Sequence, residues 1–488
     1  MRSLVLGPPG TGKTTTLLRL VEHALSRGVP PERIAYLAFT RAAAYEARDR
    51  AVARFGLDAQ RFVNFRTLHS LAYSMLGTRR TDMMGAAQWR EFGKAFGVRF
   101  DVADGEGEHP WDAMPTGAAP GDMLLRAHHL AHARQVPIEV AARDAHIDLP
   151  HTYLRRFAQA LQDYKDAHGL ADFNDLIEHA RGTLDAELVL LDEAQDLTSQ
   201  QWRFFNRIAG DVPAQVLAGD DDQSIYQWAG ADLDTFLSLP HDRHVLPVSH
   251  RLPAPVKTLA DNVIRRAARR YDKRWAPGRH EGKVEALARH AVDLSHGEWL
   301  VMARTRAACD ALARGLDAAG VPHVLHGRNS LARPAFAAVA AWKALQEGQK
   351  VPATMVAALR RYARVEAPVR PDGHVHPEDL VFEAGHPGLA AGWEIALALP
   401  PESAAQVRAV LRAGHALTGT PKVRVVTVHA AKGLEADNVL LDCAPNTRRD
   451  AVAEEEVRLW YVAVTRARRR LVLLRPEGNP WLVSVHRA

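Results

Sequence analysis

Cysteine is nearly absent: the 488 residues include two, Cys309 and Cys443. They stand far apart and form no C-x-x-C pair. That excludes a disulfide framework and a cysteine-held iron–sulfur cluster, and points to a reducing compartment. Neither charge dominates. The 62 Lys and Arg against 57 Asp and Glu leave a formal net charge of +5, compatible with a polyanion partner but too small to identify one. No window approaches the roughly 18 consecutive apolar residues of a membrane span. No signal peptide is expected ahead of the first strand-like run, and no repeat or low-complexity tract interrupts the chain. The expectation is a soluble, cytoplasmic protein with no membrane partner.

What is present suffices for several cores. Hydrophobic residues make up 47% and charged residues 24%, a globular balance, and the length suggests about three domains. Leu4–Leu6, Ile34–Phe39, Leu188–Leu191, Val216–Ala218, Trp299–Ala303, Val423–Val428, Asn438–Leu441 and Leu471–Leu474 read as buried strands. Helical patterns separate them, which predicts parallel sheets covered by helices, with ligands at the carboxyl ends of the strands. Two stretches break the alternation. Residues 78–169 read as mainly helical around a Gly/Pro/Asp-rich loop, Asp101–Asp122, and residues 346–415 as helical around Pro368–Gly388. Both are expected to be insertions into α/β cores.

Gly7-Pro8-Pro9-Gly10-Thr11-Gly12-Lys13-Thr14, followed by Thr15, is a complete G-x-x-x-x-G-K-[ST] loop between a strand-like run and a helical pattern. Its glycines let backbone N–H groups wrap phosphates, and the helix start adds its positive end. Lys13 is expected to reach the β- and γ-phosphates of ATP, and Thr14 to hold Mg²⁺. Further on, Leu188–Leu191 ends in Asp192-Glu193. Downstream of a phosphate loop this pair suits Mg²⁺ binding by Asp192 and activation of the attacking water by Glu193. The basic run Arg265–Arg274 is expected to spread its cations along a helix surface, solvated or facing a polyanion.

Four more segments define a pattern: Asp192-Glu193-Ala194-Gln195-Asp196, Gly219–Ala231 with Gln223-Ser224-Ile225-Tyr226-Gln227-Trp228 inside it, Thr427–Glu435, and Tyr461–Ala467. Together with the phosphate loop, in this order, they resemble the UvrD/Rep/PcrA family of superfamily 1 DNA helicases. The resemblance implies an α/β fold of two RecA-like P-loop parallel-sheet motor domains, each carrying a mainly helical insertion. The first motor is expected over 1–77 and 170–244 with its insertion at 78–169. The second is expected over 245–345 and 416–488 with its insertion at 346–415. It further implies ATP in the cleft between the motors and 3′→5′ movement along single-stranded DNA. Gln195 and Gln223 are similar to the family's γ-phosphate sensors, Arg251 and Arg466 to its γ-phosphate arginines, and Glu435 to its ribose contact. Phe39, Thr40, Arg41, Thr67, His69, Tyr226, Trp228, Thr427 and His429 match positions on its DNA path. Tyr226 and Trp228 are the base platforms; core packing is the alternative for them and for Phe39. The implied partners are single-stranded DNA, single-strand/duplex junctions, and replication or repair proteins, acting on a chain that is a monomer in isolation. Two other functions stay open: a translocase that displaces proteins with little unwinding, and a non-translocating regulatory P-loop ATPase.

The chain departs from the family pattern at several places. The Gln-containing adenine-binding segment is missing ahead of Gly7, or the start codon is misassigned, and His250 stands where Tyr is usual. Both departures suggest relaxed nucleotide selectivity; an ATP-over-GTP preference above about a hundredfold in hydrolysis constants would sink that idea. Ala229 replaces a common Arg, which removes one phosphate contact. The second insertion is short, so control by it should be reduced. Few residues follow Arg466, and no fused nuclease is expected.

Overall fold

The computed structural model describes residues 2–100, 119–363, 365–444, 453–474, 479 and 482. The chain divides into two compact units. One comprises Met1–Arg251, Arg266–Gly278 and Val452–Arg458; the other comprises Leu252–Arg265, Arg279–Ala451 and Leu459–Ala488.

In the first unit, Arg2–Leu6 (β1) is buried from its second residue onward and Ile34–Ala38 (β2) throughout. That is the pattern of strands covered on both faces. They join Phe65–Thr67 (β3), Leu188–Leu191 (β4), Ala214–Gly219 (β5) and Asp242–Val245 (β6) in an all-parallel sheet of order β3-β2-β4-β5-β1-β6. Parallel neighbours need crossovers, and the helices that supply them cover the sheet. On one face Leu17, Leu18 and Val21 of helix Lys13–Ser26 and Ala44, Ala47 and Ala51 of helix Arg41–Phe55 pack on Val5, Tyr36, Leu190 and Val216. The small alanines let the second helix approach closely. In register, Leu6 lies beside Gly219 and Leu191 beside Leu217. The loops after β1, β4 and β5 therefore emerge side by side at one edge of the sheet.

The second unit has a seven-stranded sheet built from Lys283–Leu287 (β7), Trp299–Ala303 (β8), His323–Leu325 (β9), Arg328–Asn329 (β10), Val423–Thr427 (β11), Ala436–Asp442 (β12) and Ala467–Leu474 (β13). Its order is β10-β9-β11-β8-β12-β13-β7, parallel except for the β9–β10 pair. Trp299, Val301, Val425, Leu440 and Val472 face Cys309, Leu312 and Leu316 of helix Arg306–Ala319. Both sheets match the α/β expectation. Within these two sheets, the strands that apolar runs did not reveal are β3, β6, β7, β9 and β10, all at or beside a sheet edge; two short antiparallel pairs, Val351–Pro352 with His374–Val375 and Val365–Glu366 with Val381–Phe382, also lie in the stretch expected to be helical.

Each insertion has its own core. In the first, Trp89, Phe92, Phe100 and Phe157 pack with Leu124, Leu130, Leu154 and Leu161. Of the loop expected at Asp101–Asp122, residues 101–118 lie outside the described residues. Its end is helical instead: Pro120 opens helix Pro120–Arg134, where its fixed φ and missing N–H suit the first turn. In the second, Trp342, Val356, Leu359, Trp393 and Val407 form the centre of a cluster that draws in helix Pro334–Gln346.

The first insertion also closes over a buried polar cluster. Asp172 caps helix Phe173–His179 and, with Asp175, receives Lys165 Nζ at 3.1 and 2.6 Å. His128 Nε2 lies 3.5 Å from Asp172, and the Nδ1 of His129 is 2.9 Å from Asn174 Nδ2. Burial pulls His129 and His132 down to about 4, with the neighbouring His128 adding to the effect. An unfolded chain would take up these protons near 6.5; the folded one does not until about 4. Acid therefore favours the unfolded state over that window. The melting temperature should fall as pH drops from about 6.5 to 4, and exchanging His129 and His132 for Gln should flatten the fall. A profile unchanged by the double exchange would refute this.

Candidate nucleotide and nucleic-acid site

The phosphate loop leaves β1 at Gly7, whose N–H donates to Gly219 O at 3.0 Å. Gly10 and Gly12 have φ of +72° and +84°, the left-handed region that glycine enters without a Cβ penalty. Lys13 Nζ bends back to donate to Gly7 O at 3.1 Å and lies 3.8 Å from Glu193 Oε1. Its ammonium is thus held at the mouth of the loop, where phosphate oxygens would replace a weak carbonyl contact.

Asp192 and Glu193 follow β4. Asp192 is buried and accepts from Thr14 Oγ1 at 3.1 Å, from Tyr36 Oη at 2.7 Å and from the Glu193 N–H at 2.9 Å. Burial and the Glu193 charge push its carboxyl above the usual range, against the pull of Lys13. Tyr36 was missed in the sequence; its only signal is a lone hydroxyl inside an apolar strand. A carboxylate and a hydroxyl are hard oxygen donors, and two protein donors are what Mg²⁺ commonly takes when phosphates and waters complete its shell. The pair Thr14–Asp192 therefore fits Mg²⁺, which would neutralise phosphate charge there.

Glu193 adopts φ +53°, rare for a side chain with a Cβ and a mark of a strained functional position. Its Oε2 accepts from Gln195 Nε2 at 2.6 Å, and Gln195 Oε1 receives the Asp220 N–H at 2.9 Å. Gln223 Nε2 donates to Asp220 Oδ2 at 2.7 Å. The loops after β4 and β5 thus share one hydrogen-bonded line. Ser249 Oγ donates to Pro9 O at 2.7 Å and the His250 N–H to Gly10 O at 2.8 Å, so the Ser249–Arg251 segment lies on the phosphate loop with the His250 side exposed.

A Cβ at Gly10 would stand 2.2 Å from Arg251 Cβ and 2.9 Å from Ser249 Oγ. Gly10→Ala should therefore combine a left-handed backbone cost of about 1–2 kcal/mol with a clash that pushes Arg251 away. Both the melting temperature and the affinity for a fluorescent ATP analogue should drop; unchanged affinity would contradict this packing.

In the second unit, Thr427 ends β11 and His429 follows it. Burial and the charges of Arg304 and Lys432 lower His429 to about 3, so its ring is neutral. Arg466 is 1% exposed. It donates from Nε to Val462 O at 2.9 Å, from Nη1 to Leu434 O at 3.3 Å and from Nη2 to Thr465 Oγ1 at 3.2 Å. Glu435 pairs with Arg468.

A model of the UvrD/REP helicase N-terminal domain matches residues 1–244, and one of the UvrD-like helicase C-terminal domain matches residues 409–476. The chain belongs to the UvrD/REP helicase family. UvrD2 of Mycobacterium tuberculosis, named an ATP-dependent DNA helicase, is 27% identical over 550 residues, covering 96% of this chain and 76% of UvrD2. DNA helicase II of Escherichia coli is 27% identical over 261 residues, 49% of this chain and 34% of that protein. YjcD of Bacillus subtilis is 24% identical over 314 residues, 58% and 39% of the two chains. The matched region thus spans well under half of two of these relatives.

Within this UvrD/REP family member the residues expected on the DNA path are placed as follows. Thr40 caps helix Arg41–Phe55 through Oγ1 to the Ala43 N–H, and Thr67 caps helix Leu68–Leu76 through Oγ1 to the Ser70 N–H. Arg41 is exposed at the first of these helix starts. His69 meets Phe173 edge-on at 6.0 Å, and burial with the Arg41 charge lowers it to about 4. Phe39 and Tyr226 are buried and stack on each other at 5.8 Å, while Trp228 is half-buried. Ala229 is fully buried.

The basic run is a correction. Helix Ala254–Ile264 ends before it, and the described backbone of Arg265–Arg274 is not helical. Arg270 grips Asp222 through two bonds of 2.8 and 2.7 Å, and Lys273 is buried among Asp220, Asp221 and Asp222. Three successive buried acids demand cations, and that demand outweighs helix propensity. Asp220-Asp221-Asp222 was the signal that went unused.

Proposed function

We propose that this chain is an ATP- and Mg²⁺-dependent motor that moves 3′→5′ along single-stranded DNA and unwinds duplexes from single-strand junctions. The observation that carries the reading is the assembly of Thr14 with Asp192 and of Glu193 with Gln195 by hydrogen bonds, and of Lys13 with Glu193 as an ion pair at 3.8 Å, at adjoining strand ends. Lys13 holds the phosphates, Glu193 takes the proton of the attacking water, and Gln195 and Gln223 read the γ-phosphate. Arg251 and Arg466 supply positive charge to the transferring phosphoryl group. Glu435 contacts the ribose and His250 faces the base. Trp228, Tyr226, Phe39, Thr40, Arg41, Thr67, His69, Thr427 and His429 contact the strand. Among the described residues, no helix is long and apolar enough to cross a membrane.

A second reading, displacement of proteins with little strand separation, draws support from Ala229, which leaves no side chain to reach a phosphate. Hydrolysis measured with and without single-stranded DNA, followed by unwinding of 3′- and 5′-tailed duplexes, tests both. Stimulation with preferential unwinding of 3′-tailed substrate supports the first reading. Stimulation without unwinding favours the second. Hydrolysis indifferent to DNA would overturn the motor assignment.

A further inference from the structure

The loop after β5 carries three consecutive acids, and all three are withdrawn from water: Asp220, Asp221 and Asp222 are at most 1% exposed. Buried carboxylates are costly unless paired and fully hydrogen-bonded. Here Lys273 serves all three, with Nζ 2.8 Å from Asp220 Oδ1 and 2.9 Å from Asp222 Oδ2, and bonded to Asp221 Oδ1. Its side chain has no exposed surface. Burial works against its charge, but the three carboxylates outweigh burial and hold the ammonium charged. Around it, Arg270 takes both oxygens of Asp222, the Tyr271 N–H donates to Asp221 Oδ2 at 2.9 Å, and Arg458 Nε donates to Asp221 O at 3.0 Å.

The cluster does more than neutralise itself. The two oxygens of Asp220 have different partners: Oδ1 receives Lys273 at 2.8 Å and the Asp222 N–H at 3.3 Å, and Oδ2 receives the amide of Gln223 at 2.7 Å. The Asp220 N–H in turn donates to Gln195, whose own amide bonds Glu193. We propose that Lys273 is a positioning residue for ATP hydrolysis: it fixes the Asp220 carboxylate, and Asp220 aims the Gln223 amide. The inference rests on the reading of Gln223 as a γ-phosphate contact. Lys273 touches no substrate; it acts through a carboxylate whose rotation would swing the sensor away.

Lys273→Met alone would strand three buried acids, so the test uses Lys273→Met with Asp221→Asn, against Asp221→Asn alone. The double variant removes one cation and one anion and leaves Asp220 without its lysine. With single-stranded DNA saturating, kcat should fall about 10- to 100-fold, the scale of a misplaced catalytic group. KM for ATP should stay near that of Asp221→Asn, while the melting temperature should fall, because buried Asp220 loses its cation; kcat is therefore read well below that melting temperature. Asp220→Asn, similar in shape but uncharged, should repeat the loss of kcat. A kcat within about threefold of the control in the double variant, or a wild-type kcat in Asp220→Asn, overturns the assignment. Gln223→Ala separates the two layers. If it lowers kcat while the double variant does not, only the role of Lys273 fails. If it leaves kcat unchanged, the reading of Gln223 fails and the inference falls with it.

Discussion

Glu193→Gln is expected to bind ATP as well as the native chain and to hydrolyse it about 10²–10⁴-fold more slowly, the usual contribution of a positioned general base. The exchange keeps shape and one acceptor oxygen, so the contact with Gln195 at 2.6 Å can persist. What goes is the basicity and the charge that faces Lys13 at 3.8 Å. Losing that charge also removes one of the causes that push the Asp192 carboxyl upward, so nucleotide affinity should hold or rise. Single-turnover hydrolysis beside equilibrium binding of a fluorescent ATP analogue separates the two effects. Residual turnover within tenfold of native would mean that another group takes the proton.

Arg466→Lys should be the costliest exchange in the second unit. An arginine that stabilises a transferring phosphoryl group is worth about 10³–10⁵ in turnover, and lysine lacks the planar fork. The side chain also has structural work, because Val462 O and Leu434 O accept from it in a buried setting. A carbonyl left without its donor costs about 1–3 kcal/mol, so some loss of melting temperature is expected as well. A folded variant with native turnover would remove Arg466 from the chemistry and leave it the bonds within its own unit. Loss of turnover far beyond the loss of stability would place it on the phosphate.

The phosphate loop and the central strands were legible because each announces itself locally. Buried parallel strands must be apolar on both faces, and Ile34–Ala38 or Leu188–Leu191 cannot easily be read otherwise. Edge strands have one partner and one wet side, so Asp-Arg-His-Val of β6 and Lys-Val-Glu-Ala-Leu of β7 carry no such run. The same locality explains the misread basic stretch. A helix surface is a property of neighbours in sequence, whereas Lys273 is fixed by acids some fifty residues away. Tyr36 was invisible for a like reason: its hydroxyl has meaning only beside Asp192. The DNA-path residues were found through a resemblance, and no local pattern would have paired Phe39 with Tyr226.

That ring pair bears on how a strand could be held. Phe39 and Tyr226 already cover each other at 5.8 Å with planes 25° apart. On the proposed path, a base seeking Tyr226 must exchange one stack for another. A base on an aromatic ring is worth about 1–3 kcal/mol, and the displaced aromatic pair takes back about 0.5–1.5 kcal/mol of it. The foothold is shallow because it is occupied before the strand arrives. For the proposed motor, which would let go at every step, a shallow foothold is an advantage: release would refill the vacancy with the protein's own ring.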